Sequence, residues 1–237
     1  MSATSNDTAN PKLMEFFATS LQELYWSETH LTKVLSSMSQ AATAEELRDA
    51  FKLHAEQTEK HAKRLEEAFS KLNMQPQAEP CVGLQGLFDE GWQVIDETED
   101  GSAVRDVALI VAAQKVEHYE IACYGSLITL AKTIGHKDVA KILAPTLEEE
   151  KETDALLSSI AQSGINEEAG EEEPMENSGD SATTREVKAE ATARPEMTRA
   201  GSETASETAA PASTGKSKKS KGSQDKPSKP GKKAKAV

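Results

Sequence analysis

The sequence predicts an all-α protein: a four-helix bundle with one long crossover that carries a short extra helix, followed by a disordered C-terminal tail. Apolar residues recur every three or four positions through four long segments, and no segment alternates as a strand does. All ten aromatic residues fall between Phe16 and Tyr124, which confines the core to the front of the chain. Without βα alternation or a glycine-rich phosphate loop, a nucleotide-binding α/β fold is excluded.

The first two helices form a pair joined by a tight turn. Asn10 is a suitable N-cap before a proline at the first helical position, so the first helix is predicted over Pro11–Gln40. Thr43 followed three residues later by Glu46 predicts a capping box at the start of the second helix. That helix is expected to end near Asn73.

The second helical pair follows a long connection between residues 75 and 101. Prolines and glycines interrupt this connection, yet Leu84–Ile95 carries enough apolar residues for a short helix. Ser102 is the predicted cap of the third long helix, which Gly135 closes. The last long helix is predicted over Lys137–Gln162. The folded domain is therefore expected to span residues 11–166, after a disordered N-terminus over residues 1–10.

Residues 167–237 form the predicted disordered tail, because they contain no aromatic residue and few large aliphatic ones. The tail is acidic over residues 167–196 and lysine-rich over 197–237, and its charges cancel. The first 166 residues therefore carry the whole net charge of −13, which disfavours contact between the domain and nucleic acid or anionic membrane and favours cations.

Acidic side chains stand where the helical pattern requires apolar ones. At 3.6 residues per turn, Glu28 lies in line with leucines of the first helix, and Glu120 occupies such a position on the third long helix. Glu117 flanks the same face, and Glu150 and Asp154 fall on the apolar face of the last helix. Burying several ionised carboxylates close together is prohibitive unless protons or cations neutralise them.

We interpret this pattern as a dinuclear iron or manganese centre, since carboxylate oxygens and imidazole suit these metals and bundle cores hold such sites. His54 lies on the apolar face of the second helix and is a candidate nitrogen ligand, although a hydrogen-bonded core histidine fits equally well. His61 lies near the same face, and its role is open. Glu56 and Glu59 lie well off this face and are expected to be solvated. An isolated acid can also mark an edge position that reaches water.

Several segments resemble the YciE/YciF family of bacterial ferritin-like stress proteins. The resemblance is most specific in Ala113–Ala122 with the following Tyr124-Gly125, and it extends through Leu147–Asp154 to cover about Leu13–Ile165. It implies a ferritin-like fold, association as a homodimer, a dinuclear iron or manganese centre and a ferroxidase-type oxidoreductase activity in stress. The carboxylates and histidine that match the family positions are Glu28, His54, Glu117, Glu120, Glu150 and Asp154.

The sequence also departs from the usual di-iron pattern. It contains no Glu-x-x-His motif, although two helices usually supply one each. Pro145 interrupts the last helix little more than a turn before Glu150, so a kink and a freed carbonyl near the site are expected. Within the proposed centre, Glu28 and Glu120 are the candidate bridging carboxylates, and the other ligands are expected to be terminal.

A second interpretation is a non-catalytic, dimeric stress or interaction protein whose inward acids are protonated or bound to water. In that case Lys216–Val237 is the candidate contact and binds DNA nonspecifically through its lysines. The tail could instead fold back on the acidic domain or on the acidic run before it, or serve only to keep the protein in solution. Cys81 and Cys123 lie 42 residues apart, and no apolar signal core or membrane-length apolar run is present. The expected location is therefore the cytoplasm, without membrane insertion.

Overall fold

A computed structural model describes residues 10–173, and every regular element in that range is a helix, with no strand. The prediction of an all-α bundle is confirmed. The helices are α1 (Pro11–Ala41), α2 (Glu45–Lys71), α3 (Val82–Glu97), α4 (Ala103–Thr133), α5 (Lys137–Ile160) and α6 (Asn166–Glu171), with a wider helical turn over Ala161–Ile165.

The four long helices pack as two hairpins, α1 with α2 and α4 with α5, and the hairpins meet mainly through α2 and α5. The short helix α3 lies in the crossover between them and packs against α4 and α1. This arrangement brings one face of each long helix into a common interior. None of the helices in the described range is long and apolar enough to cross a membrane.

The interior contains two apolar clusters that follow one another along the bundle. One cluster includes Phe51 and Val116, and the other includes Leu65 and Tyr124. On every long helix the chain passes from one cluster to the other, as it does on α1 between Leu24 and Leu31. The residues at these crossing points form a polar layer that is covered by apolar packing on both sides.

A carboxylate from α4 holds the turn between α1 and α2. The buried Asp106 accepts the backbone N–H groups of Thr43 and Ala44 on its two oxygens, each at 2.7 Å. The predicted capping box is therefore wrong: Ala44 is the N-cap of α2 and no side chain of its own segment caps the helix. Asp106, which is distant in sequence, accepts the free N–H groups of this turn instead. The predicted cap at Ser102 is confirmed, since its hydroxyl accepts the N–H of Arg105 at 3.1 Å.

The C-terminal boundary of the helical region differs from the prediction at residue 166. The chain kinks at Gly164 (φ 146°) and continues as α6, after which the Glu172 carboxylate accepts the first N–H groups of α4 from Ala103 at 3.2 Å and Val104 at 3.0 Å. These contacts and the buried Ile165 explain why residues 167–171 are helical. Residues 1–9 and the rest of the predicted tail, including Lys216–Val237, lie outside the described residues.

Pro145 does not end the last helix. It lies on the exposed side of α5, and the helix continues through it from Lys137 to Ile160. Glu150 is buried on the opposite side. The expected freed carbonyl therefore lies on the side of α5 away from the interior, because it belongs to the exposed Lys141 one turn earlier.

Candidate metal centre

Six buried side chains form the polar layer, and all four long helices contribute to it. α1 provides Glu28, α5 provides Glu150, and each of the other two provides a pair. Their ligand atoms fall into two groups, each within 4.8 Å: His54, Glu117, Glu120 and Glu150 in the first, and Glu28, His61 and Glu150 in the second.

The first group is built around His54. Its Nε2 atom lies 3.2 Å from Glu117 Oε1 and 3.7 Å from Glu150 Oε2. Glu117 and Glu120 are three residues apart on α4, so both carboxylates face the same side of that helix. This half therefore offers one imidazole nitrogen and three carboxylates.

The second group is built around His61. Its Nδ1 atom lies 3.0 Å from Glu150 Oε1 and 3.4 Å from Glu28 Oε2. Glu150 thus presents one oxygen to each histidine and belongs to both groups. The sharing favours Glu150 as the bridge, whereas the sequence analysis favoured Glu28 and Glu120.

The outer contacts of each imidazole leave its inward nitrogen free to act as an acceptor. The Thr153 hydroxyl donates to the backbone carbonyl of Glu149 at 3.0 Å, so it is placed to accept the Nδ1–H of His54 at 3.3 Å. On His61 the Nε2–H lies 2.8 Å from the Glu149 carboxylate. When the imidazoles are neutral, as metal ligands are, these partners favour the tautomers in which His54 Nε2 and His61 Nδ1 direct lone pairs into the cluster.

Most of the inward polar atoms are not satisfied by hydrogen bonds within the described part of the chain. Both oxygens of Glu120 and of Glu150 are buried without a partner of hydrogen-bonding geometry. The same holds for Glu28 Oε2, Glu117 Oε2, His54 Nε2 and His61 Nδ1. Buried polar groups are rarely left in this state. Oxygen and imidazole donors converging in a dry interior fit a metal ion, which would satisfy them together.

The pKa values reflect this crowding of charge. Burial raises the pKa of Glu120 well above its usual value, and the Glu28 and Glu150 carboxylates raise it further. Burial alone would lower the pKa of His54, but attraction to Glu117 and Glu150 outweighs it and raises that pKa to about 9. In the same way, Glu150 and Glu28 raise the pKa of His61 to about 10. Without cations, the layer therefore retains protons at neutral pH.

Further polar side chains hold the second group from outside. The Tyr124 hydroxyl, fully buried, donates to Glu28 Oε1 at 2.5 Å and leaves Oε2 directed toward His61. Arg64 donates through both terminal nitrogens to Glu149 and also to the Thr146 hydroxyl at 3.1 Å. This Arg64 contact is the main cause that lowers the pKa of Glu149 to about 2.

Asp154 does not join the cluster. Its side chain is partly exposed, and its Oδ1 accepts the Gln114 amide at 3.0 Å and lies 3.2 Å from His118 Nε2. Its neighbour Thr153 takes the inward position on α5 instead. The prediction that Asp154 lies on the apolar face as a metal ligand is therefore wrong: its carboxylate contacts Gln114 and His118 outside the cluster. Glu56 and Glu59 are exposed, as expected.

Sequence reasoning left His61 open and missed Glu149 and Arg64. A spacing of seven residues separates His54 from His61, which places both imidazoles on the same face of α2 two turns apart. That spacing could have identified the pair. Glu149 lies beside the apolar face of α5, and only its contacts with α2 reveal a role.

The cluster contains the same numbers of Glu and His side chains as the usual di-iron centre, although the chain has no Glu-x-x-His motif. A ferritin-like centre takes four Glu side chains and two His side chains from four helices, with one Glu-x-x-His motif on each of two helices. Here the same six groups come from a His pair on α2 and a Glu pair on α4, with one Glu each from α1 and α5. The absence of Glu-x-x-His therefore changes the connectivity but not the set of donors.

The fold and this cluster together define a helical bundle with a buried carboxylate–histidine centre. Comparison with known proteins narrows the class: the sequence profile described as "Domain of unknown function (DUF892)" matches residues 12–170. The chain belongs to this family, which is the YciE/YciF family indicated by the sequence resemblance.

Individual relatives agree with this assignment. The chain is 43% identical over 150 residues to Protein YciF of Escherichia coli (strain K12), covering 63% of this chain and 90% of that protein. The crystal structure of the E. coli stress protein YciF matches with a TM-score of 0.62 at 41% identity, over 65% of this chain and 97% of the other. YcfI from Rhodopseudomonas palustris matches with a TM-score of 0.61 at 34% identity, over 66% and 98%.

Proposed function

We propose that the protein binds two iron or manganese ions in the polar layer of its bundle and acts in stress as a ferroxidase-like protein. The observation that carries the proposal is the pair of histidine–carboxylate groups that share Glu150, with buried oxygens that lack hydrogen bonds among the described residues. A relative of this chain, YciF, is itself described as a stress protein.

Charge balance supports two divalent ions rather than one. The layer contains four carboxylates and two imidazoles that are neutral when they act as ligands. Two divalent cations bring the net charge of the layer to zero, whereas one leaves two negative charges in a dry interior. An uncompensated buried charge costs several kcal/mol, so a single ion would require the layer to retain two protons as well, whereas two ions need none.

The chemistry of the donors limits the metal and the reaction. Carboxylate oxygens with imidazole suit iron and manganese, and hard oxygen ligands favour the ferric state over the ferrous one. Bound iron would supply a ferrous–ferric couple, with each ferrous ion giving one electron to peroxide or dioxygen. The chain itself holds the ligands in place, packs the two apolar clusters against both sides of the layer, and releases the protons of its histidines when metal binds.

An anaerobic titration with ferrous ion, followed by addition of peroxide, tests the proposal. The expected result is two ions per chain and oxidation in the wild-type protein, and a loss of both tight sites in Glu150→Gln, because both groups use this carboxylate. Glu59→Gln, an exposed acid on α2, is the matched control and should bind as the wild type does.

Absence of stoichiometric binding in the wild type, or equal binding by Glu150→Gln, would contradict the proposal. Binding without oxidation would leave a metal-binding protein and remove the ferroxidase role. A protein that binds no metal and keeps its inward acids protonated would be the non-catalytic stress protein considered above.

A further inference from the structure

We infer that Glu149, held by Arg64, is a positioning residue for one of the two cation positions, the one formed by Glu28, His61 and Glu150, and not for the other. The inference rests on the proposed cation centre and assigns a task to residues outside it. Glu149 and Arg64 have no ligand atom in either group of the cluster.

The contacts form a chain from the surface to the cluster. His61 is fully buried, and its Nε2 lies 2.8 Å from Glu149 Oε2. Arg64 Nη2 donates to Glu149 Oε1 at 2.9 Å, and Nη1 donates to Oε2, so the carboxylate is held by a two-pronged contact. Both outer residues are about one-quarter exposed. The fixed carboxylate therefore fixes the plane of the imidazole ring.

The Arg64 contact is anchored on both helices of the α2–α5 pair. Arg64 also donates to the Thr146 hydroxyl, which is fully buried one turn before Glu149. The guanidinium therefore cannot swing away without losing both contacts. Because Glu149 and Glu150 are consecutive, the same turn of α5 supplies the shared ligand and the group that orients the neighbouring imidazole.

The other half of the cluster has a different outer contact. Among the described residues, the partner of His54 Nδ1 is a neutral hydroxyl, that of Thr153, at 3.3 Å. An imidazole that donates its outer N–H to a carboxylate is a more basic metal ligand than one whose partner is a hydroxyl. Loss of such an outer partner typically lowers metal affinity 10–100-fold. The two positions should therefore respond differently to substitution of Glu149.

Calorimetric titration with Mn²⁺ under anaerobic conditions tests the inference on the full chain. In Glu149→Gln we expect one ion to bind within about threefold of wild type and the other to bind roughly 10–100-fold more weakly. Glu148→Gln is the matched control, because Glu148 is the exposed neighbour that pairs with Lys151 on the surface, and it should bind as wild type.

A double-mutant cycle assigns the affected position. In a His61→Ala background Glu149→Gln should have no further effect on the ion that remains, whereas in a His54→Ala background it should still weaken the remaining ion. Arg64→Gln should show a smaller effect at the same position. It also keeps the inference testable if Glu149→Gln folds poorly.

Ring-nitrogen NMR of the Zn²⁺-loaded protein separates positioning from a merely structural ion pair. Glu149→Gln should shift the His61 ring signals and leave those of His54 in place. Equal weakening of both ions, or a persistent effect of Glu149→Gln in the His61→Ala background, would overturn the inference while leaving the cation centre intact. A wild-type protein that binds no ion overturns both.

Discussion

Glu120 is the side chain whose position is hardest to explain by folding alone. It is fully buried, neither oxygen has a hydrogen bond from the described residues, and its neighbours include three further carboxylates. Because burial raises its pKa well above the value in an unfolded chain, Glu120 lowers the stability of the cation-free fold as the pH rises past that unfolded value. A buried carboxylate that destabilises the cation-free fold is expected at a position that serves to bind cations.

Replacing Glu120 by an apolar side chain should therefore separate stability from binding. We expect Glu120→Met to raise the free energy of unfolding of the cation-free protein by about 1–3 kcal/mol, since the buried carboxyl is removed and the volume is kept. The same variant should lose the part of the Mn²⁺ stabilisation that comes from the position formed by His54, Glu117, Glu120 and Glu150, and keep the part from the other position. Urea unfolding with and without Mn²⁺ measures both effects.

The exposed Glu59→Met is the control for this experiment. It should change stability by no more than about 0.5 kcal/mol and keep the response to Mn²⁺. A cation-free Glu120→Met protein that is less stable than wild type would show that the carboxyl contributes to folding after all.

Individual residues show which parts of the cluster could be predicted from the sequence. Helical periodicity identified Glu28, Glu120 and Glu150 because each replaces an apolar residue in an apolar row. It misplaced Asp154, which lies one position from the true inward residue, Thr153. It could not find Glu149, whose contact partners lie on another helix. The roles of these residues as ligands stay predictions until metal binding is measured.

At the scale of the helices, the N-terminal turn of α4 contacts a distant part of the chain. Asp106 lies in this turn, yet its carboxylate satisfies two backbone N–H groups of the α1–α2 turn, about 60 residues earlier in the chain. One helix therefore fixes the geometry of a hairpin to which it does not belong. Both N–H groups would lose their protein partner if the carboxylate were removed.

We expect Asp106→Ala to lower the free energy of unfolding by about 2–4 kcal/mol, since two N–H donors lose a charged acceptor. Thermal and urea unfolding of the cation-free protein measure the loss. Asp49→Ala is the matched control, because Asp49 is an exposed acid on α2 whose pair with Lys52 is solvated. If the two variants were equally stable, the carboxylate would not be what holds the turn.

The helix boundaries illustrate which local rules suffice. Asn10, Pro11 and Ser102 begin helices as predicted, since a cap and the first turn it serves are close in sequence. The predicted box at Thr43 failed because Asp106, far away in sequence, supplies a stronger acceptor for the same turn. Local rules give the existence and order of the helices, and tertiary contacts decide some of their ends.

Across the whole domain, a polar layer lies between two apolar clusters. The layer has two ways to become neutral: it can retain protons on its histidines and carboxylates, or it can take up cations. Protons and cations therefore compete for the same interior. The raised histidine pKa values stabilise the cation-free fold fully below about pH 6.5, the unfolded value, and this stabilisation is lost as the pH rises through about 9 for His54 and about 10 for His61.

The stabilisation by cations should consequently grow with pH. At one fixed Mn²⁺ concentration, near 100-fold above the dissociation constant at pH 8, we expect a gain of about 2.7 kcal/mol for each ion bound, or roughly 5–10 °C in Tm per ion for a domain of this size. The gain should be larger at pH 8 than at pH 6, because at pH 6 more protons must be displaced. Thermal unfolding at the two pH values, with and without Mn²⁺, measures it. An equal gain at both values would argue against competition with protons.

The contact between Glu172 and the start of α4 bears on how this protein is made. The amides of Ala103 and Val104 receive their carboxylate from a residue almost 70 positions later in the chain. During synthesis, therefore, the first amides of α4 cannot receive this carboxylate until Glu172 has left the ribosome. Shortened chains that end near residue 166 would leave those amides to water, even though all four long helices were present.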